Sequence, residues 1–359
     1  DADKKAIIET SKETFKDTYL NKVKSVVDYE DIEYIILDHT EPDHSSNLTH
    51  LLDLAPNATV VGSRSAINFL KHMVDKEFKS MIVSDGDELS LGNKTLKFIS
   101  APFLHWPDSM YTYLVEDKVL FTCDSFGCHY CDERMFDDLV DNFDEAFEYY
   151  FKVILKPFSN YMLKAIDKIR DLDIDIICPG HGPILRKDWK KYVDWSERMA
   201  KGTEEKHKKH RVFIPYVSAY GNTRKIGEKI AEGIRLAGDI DVELMDIETV
   251  DVSVLEEKVE GSTAIIIGST TINQNTLPQI YNLLSIINPI RNKGKLSGAF
   301  GSYGWSGEAV KIIQENLKNL KLKVYADGLK ISFVPFEESF QKAIEYGKGF
   351  GEKLIGNTK

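Results

Sequence analysis

The chain has 359 residues, 42% of them hydrophobic and 29% charged, a composition that fits a soluble globular protein of two domains. Lys+Arg 46 against Asp+Glu 57 leaves a net charge of −11, which excludes the basic footprint of a nucleic-acid binder. No apolar run approaches the ~20 residues of a membrane span. The four cysteines are too few for a disulfide scaffold and fit a reduced, cytoplasmic protein.

The chain begins at Asp1, without a methionine, and runs at once into strand-like "KAIIET" (5–10), so a further N-terminal segment is expected before it. The next apolar run, "EYIILD", ends in "DHTEPDHSSN" (38–47), which crowds His39, Glu41, Asp43 and His44 behind Asp38. In an extended segment, positions two apart face the same way. His39, Glu41 and Asp43 are therefore expected to converge, with Pro42 stiffening the backbone and His44 turned to the opposite side. That arrangement suits two metals sharing one loop. Adjacent carboxylates repel one another without a cation and become favourable around a dication.

Strand-like "TVVGS" and "SMIVS" then alternate with helical "SNLTHLLDLA" and "SAINFLKHMV". Two hairpins follow: "ELSLGNKTLKFIS", turning at Gly92-Asn93, and "MYTYLVEDKVLFTCD", turning at Glu116-Asp117. A helical stretch over roughly 141–171 precedes a last strand, "DIICPGHG". Mixed strands flanked by helices predict a sandwich of two sheets. Three more strand ends carry titratable residues: His105 after "KFISAPFL", Asp124 after "KVLFTC" and His181 after "IDIICPG". A lone loop histidine is usually a satisfied polar residue, but four such clusters at strand ends point to a site. Cys128 and Cys131 form a single C-x-x-C without a second pair, a weak zinc or redox signal.

Polar "KGTEEKHKKH" (201–210) reads as a linker, dividing the chain into domains 1–205 and 206–359. Beyond it, five strand-then-helix units run from "RVFIPYVS" to "ESFQKAIEYGKGFGEKL", with "KVYADGLKISF" as the fifth strand. This predicts a flavodoxin-like, doubly wound parallel sheet. Three loops leave the carboxyl edge of that sheet, where such folds bind ligands. The first, Ser218, Ala219, Tyr220, Gly221, Asn222 and Thr223, offers hydroxyls, backbone N–H groups and a helix N-terminus to a phosphate. The second contains Thr270, Thr271, Ile272 and Asn273. The third contains Tyr303, Gly304, Trp305, Ser306, Gly307 and Glu308. Its glycines admit a planar ring, and Tyr303 or Trp305 is placed to flank it.

The H-x-E-x-D-H run, with "LHWPDSM", "CDSFG" and "GHGPILRKD", resembles the metallo-β-lactamase fold as flavodiiron proteins use it, and the three loops resemble their flavin-mononucleotide sites. The resemblance spans nearly the whole chain. It implies a metallo-β-lactamase-like αββα sandwich followed by the flavodoxin-like domain. It further implies that His39, Glu41 and His105 bind one iron, that Asp43, His44 and His181 bind the other, and that Asp124 bridges them. Zinc hydrolases of the fold usually carry histidine where this chain has Glu41. Oxygen and nitrogen ligands without thiolate suit iron. The implied activity is reduction of O2 to water, NO to N2O, or both, by electrons passed from FMN to two non-haem Fe ions, a role in oxygen and nitric oxide detoxification. A binuclear zinc hydrolase with an accessory flavodoxin domain is the alternative. No rubredoxin-like domain follows residue 359, so an external donor such as rubredoxin or reduced F420 is implied. The resemblance also implies a head-to-tail homodimer, or a dimer of such dimers, in which one subunit's flavin serves the other's irons. A linker of ~10 residues, at most ~35 Å extended, limits how the two sites face each other within one chain.

Overall fold

Apolar strands of the first unit build two sheets. The computed structural model describes residues 2–205 and 209–356 and divides into two compact units, Asp1–Thr203 and Glu204–Lys359. β1 (Lys5–Ile8), α1 (Lys16–Val26), β2 (Ile32–Leu37), α2 (Pro42–Ser45), α3 (Leu48–Leu54), β3 (Thr59–Ser63), α4 (Arg64–Met73) and β4 (Lys79–Val83) alternate along the chain. The four strands lie in sequence order and are all parallel. β5 (Glu88–Ser90), β6 (Thr95–Ser100), β7 (Met110–Leu114) and β8 (Val119–Cys123) form an antiparallel meander. β9 (Ile176–Pro179) closes this second sheet by running parallel to β8.

Strand periodicity decides which face each side chain enters. Ile36, Val61 and Val83 point between the sheets, against Leu96, Phe98 and Met110. Ile35 and Val60 point outward, under Leu51, Ile67 and Leu70 of α3 and α4. On the far side, Tyr111, Leu120 and Ile177 pack under α5 (Asp144–Tyr150), α6 (Ser159–Ile169) and α7 (Trp189–Glu205), through Phe147, Met162, Ile166 and Tyr192. The result is four layers, αββα. The stretch read as a linker is only partly one: α7 runs through residues 201–205. Residues 206–208 of that reading lie outside the described residues.

The second unit follows the expected alternation: β10 (Arg211–Val217), α8 (Asn222–Ala237), β11 (Asp241–Asp246), α9 (Val252–Gly261), β12 (Ala264–Thr270), α10 (Pro278–Ser285), β13 (Leu296–Tyr303) and α11 (Glu308–Asn319). The parallel order β11-β10-β12-β13 switches direction between β10 and β12. "KVYADGLKISF" is two strands rather than one. β14 (Lys323–Val324) and β15 (Leu329–Ser332) each pair with β13 and are separated at Asp327-Gly328. Gly328 packs so closely on Val310 that a side chain there would collide with it. α12 (Glu337–Gly356) completes the unit. Apolar cores lie on both faces of the sheet.

Candidate functional site

The 38–44 loop departs from the extended geometry expected of it. Pro42 opens a short helix, α2, instead of prolonging the strand; its fixed φ suits the first helical position, where a missing N–H costs nothing. His39 and Glu41 therefore remain on one side, and Asp43 joins His44 on the turn beyond. Three groups of ligand-type atoms result among the described residues: His39, Glu41, His105 and Asp124 in one, Asp43, His44 and His181 in a second, and Glu9, His44 and Cys123 in a third beside them. All seven of the metal-site residues read from the sequence fall within these groups.

Asp124 lies between the first two. Its Oδ2 is 3.5 Å from His39 Nε2 and 3.4 Å from His105 Nε2. Its Oδ1 is 3.1 Å from His44 Nε2 and 3.2 Å from His181 Nε2. The β8–β9 pairing brings these residues together, for Cys123 is in register with Pro179 and Gly180 N–H donates to Cys123 O at 2.6 Å. Cys123 itself sits at φ 49, a left-handed conformation that turns Asp124 out of the strand.

The electrostatics fit a bound cation pair. Burial alone would lower the His39 pKa, but Asp108, Glu41 and Asp124 hold it up to about 9. Burial opposes the same rise at His44, where Asp124 and Glu9 hold the imidazole up to about 11. Burial would raise Asp124, yet His181 and His44 drive it well below the usual carboxylate range. The carboxylates thus keep protons on the imidazoles, and a dication binding there displaces them. Asp124 Oδ2 and Asp43 Oδ1 are buried without a hydrogen-bond partner, as ligand atoms aimed at a metal would be. Burial pushes the Cys123 thiol well above its ordinary value, so it stays protonated. The donor set is nitrogen and oxygen, which fits iron.

Two carboxylates that the sequence reading missed hold the imidazoles from behind. Asp108 Oδ2 lies 3.2 Å from His39 Nδ1 and accepts from Thr40 N–H and Oγ1–H, each at 2.8 Å. Glu9, at the end of β1, places Oε2 2.9 Å from His44 Nδ1. Such outer partners fix the tautomer that offers Nε2 to a metal. Asp108 was within reach of the sequence, two residues beyond Trp106 in "LHWPDSM". Glu9 carried no local signal.

Gly180 was also missed. A Cβ on it would lie 2.7 Å from His44 Cε1 and 3.3 Å from Cys123 O. The ring has little room to yield, since Glu9 and Asp124 hold both its nitrogens. Gly180→Ala is expected to cost about 1–3 kcal/mol by overpacking. Iron analysis is expected to show loss at the His44 side, with a lowered thermal midpoint in the same protein.

In the second unit, the three candidate loops follow β10, β12 and β13 at the switch in strand order. They are tied together: Thr223 Oγ1 bonds Ser302 Oγ at 2.8 Å, and Thr271 N–H donates to Ser302 O at 3.0 Å. Thr223 is fully buried, with its hydroxyl paired to that of Ser302. Gly221 adopts φ 77 and starts α8 without a side-chain cap, while Ser218 Oγ accepts from Arg224 N–H at 3.3 Å. That leaves a helix N-terminus open to an anion. Tyr220 and Trp305 are 91% and 81% exposed, large aromatic faces with no protein partner packed over them. Ser306 Oγ and Glu308 Oε2 are buried without a partner beside them. These features fit a flavin mononucleotide.

Comparison with known proteins agrees. Residues 1–182 match the ODP family beta lactamase and residues 214–347 match flavodoxin. A flavo-diiron protein of Clostridium acetobutylicum is 40% identical, over 98% of this chain and 89% of its own. A nitric oxide reductase of Moorella thermoacetica is 35% identical, over 98% and 88%. Among solved structures, the flavodiiron protein of Giardia intestinalis superposes with a TM-score of 0.62 at 31% identity, over 99% of this chain and 88% of that one. The rubredoxin oxygen:oxidoreductase of Desulfovibrio gigas gives 0.67 at 28%, over 100% and 90%.

Proposed function

Because the chain belongs to the flavodiiron proteins, we propose that it is an FMN- and diiron-dependent oxidoreductase reducing dioxygen to water, nitric oxide to nitrous oxide, or both. The observation that carries this reading is Asp124, whose two oxygens each face a different pair of histidines. In this assignment His39, Glu41 and His105 hold one iron, Asp43, His44 and His181 hold the other, and Asp124 joins them. When bound, the flavin supplies electrons and the iron pair the redox-active site for the diatomic gas. Asp108 and Glu9 set the imidazole tautomers. The Ser218–Thr223 loop would receive the phosphate through backbone N–H groups and the Ser218 hydroxyl, and Tyr303 or Trp305 would flank the ring.

A binuclear zinc hydrolase is the rival. Zinc has no redox chemistry, so it leaves the flavin-type loops of the second unit without a role. The relatives' names support both gases and a rubredoxin-type donor; reduced F420 is a second donor within the proposal. The proposal includes a head-to-tail homodimer, since isologous pairing is the commonest closed assembly. Its place is the cytoplasm. No helix among the described residues is long and apolar enough to cross a membrane, and the four cysteines are free thiols. Anaerobic purification is expected to yield iron and FMN together, with oxygen consumption or nitrous oxide production on reduction. Zinc alone, with no activity after iron reconstitution, overturns the reading.

A further inference from the structure

We infer that Glu9 is a positioning residue for both metal subsites, and that this role depends on its two carboxylate oxygens accepting from opposite directions. The inference rests on the diiron assignment above. Pairing of Ile8 with Ile36 in the first sheet sets Glu9 beside the end of β2, although the two are far apart in sequence. Oε1 accepts the backbone N–H groups of Asp38 and His39, at 2.5 and 3.2 Å, and so anchors the loop that carries the first subsite. Oε2 lies 2.9 Å from His44 Nδ1 and 3.9 Å from the Cys123 thiol, and so sets the ring of the second. One side chain thus serves both halves of the site.

Asp108 makes the contrast. Its Oδ2 alone takes His39 Nδ1, Thr40 N–H and Thr40 Oγ1–H, while its Oδ1 is buried without a partner. An asparagine at 108 keeps every one of those bonds by placing its amide oxygen at the Oδ2 position. A glutamine at 9 has no such solution, because an amide offers one acceptor and one donor. With its oxygen toward the two backbone N–H groups, its NH2 faces His44 Nδ1. The ring must then accept there, and its proton moves to Nε2, the nitrogen that faces Asp124 and Asp43. A protonated Nε2 has no lone pair for a metal. The reverse orientation sets the NH2 against two backbone donors and leaves both without an acceptor, the less favourable choice.

The test compares wild type, Glu9→Gln and Glu9→Ala after anaerobic reconstitution with ferrous iron. Iron per chain and the spin-coupled resonance of the half-reduced pair are measured on each, with near-ultraviolet circular dichroism to establish folding. Wild type is expected to hold two irons and give the coupled signal. Glu9→Gln is expected to lose the second iron, its affinity falling about 10–100-fold as for other outer partners of metal-bound histidines, and with it the coupled signal. Glu9→Ala is expected to keep more iron at the second subsite than Glu9→Gln, because it leaves His44 free to retain its proton on Nδ1, and less at the first, because the Asp38 and His39 N–H groups lose their acceptor. A purely structural role for Glu9 gives the opposite order, since alanine removes more packing than glutamine does. Equal loss of the second iron in Glu9→Gln and Glu9→Ala, or an unaffected Glu9→Gln, overturns the inference while the diiron assignment stands. A wild type that takes up no iron overturns that assignment, and the inference with it.

Discussion

Asp124→Ala is expected to leave the purified protein without either iron and without measurable gas reduction. Each Asp124 oxygen is within 3.5 Å of two imidazole nitrogens drawn from different subsites, so one truncation removes an anionic ligand from both. The affected affinity is expected to fall by more than about 100-fold at each subsite, beyond the upper range seen when only an outer partner is lost. His105→Ala is the comparison: it touches the first group alone and is expected to leave iron at the second. Iron analysis of the two variants side by side checks this. Two irons retained by Asp124→Ala, with their coupled signal, is the contrary result. FMN content is expected to be unchanged in both, because those residues belong to the first unit.

Asn222→Glu is expected to strip FMN while sparing the fold and the irons. Asn222 is the first residue of α8, where a carboxylate interacts favourably with the helix dipole by about 0.3–1 kcal/mol. The same charge meets a phosphate dianion, and each pair of like charges at ~4 Å costs ~1 kcal/mol in water and ~4 at a protein surface. Flavin affinity is therefore expected to drop by at least ~10-fold, read from absorbance after desalting. Position 223 is unsuitable for this probe. Thr223 is fully buried and bonded to Ser302, so a glutamate there would disrupt the core itself. Co-purified heterodimers of Asp124→Ala and Asn222→Glu chains then test the assembly. Gas reduction is expected to return in the mixed dimer, where one intact flavin meets one intact iron pair across the interface. A verified heterodimer that stays inactive excludes transfer between subunits.

Much of this protein was legible in the linear chain. Short apolar runs bounded by turn residues marked most of the strands, because a strand buried on both faces must be nearly continuously apolar. The seven titratable residues at strand ends were legible for a related reason: polar groups that interrupt such runs need a partner, and loops at strand ends are where they find one. The three loops of the second unit followed from the strand–helix alternation, which places them on one edge of a parallel sheet.

What the chain alone misjudged was local direction and distant approach. Pro42 permits both an extended segment and a helix start, and only the packed loop selects the helix that sends His39 with Glu41 and Asp43 with His44. The Thr223 hydroxyl gains its Ser302 partner only when the neighbouring loop folds beside it. Glu9, Asp108 and Gly180 are ordinary residues in sequence. They acquire their roles from β1 pairing with β2, from the 38–40 loop closing over Asp108, and from β9 running beside β8. Residue type and spacing by themselves determined which side chains could bind metal and flavin, because donor chemistry is carried by each side chain. Which nitrogen faces the metal, and which carboxylate holds it there, was decided only by the tertiary structure, because a hydrogen bond depends on separation in space, which strand pairing sets independently of distance along the chain.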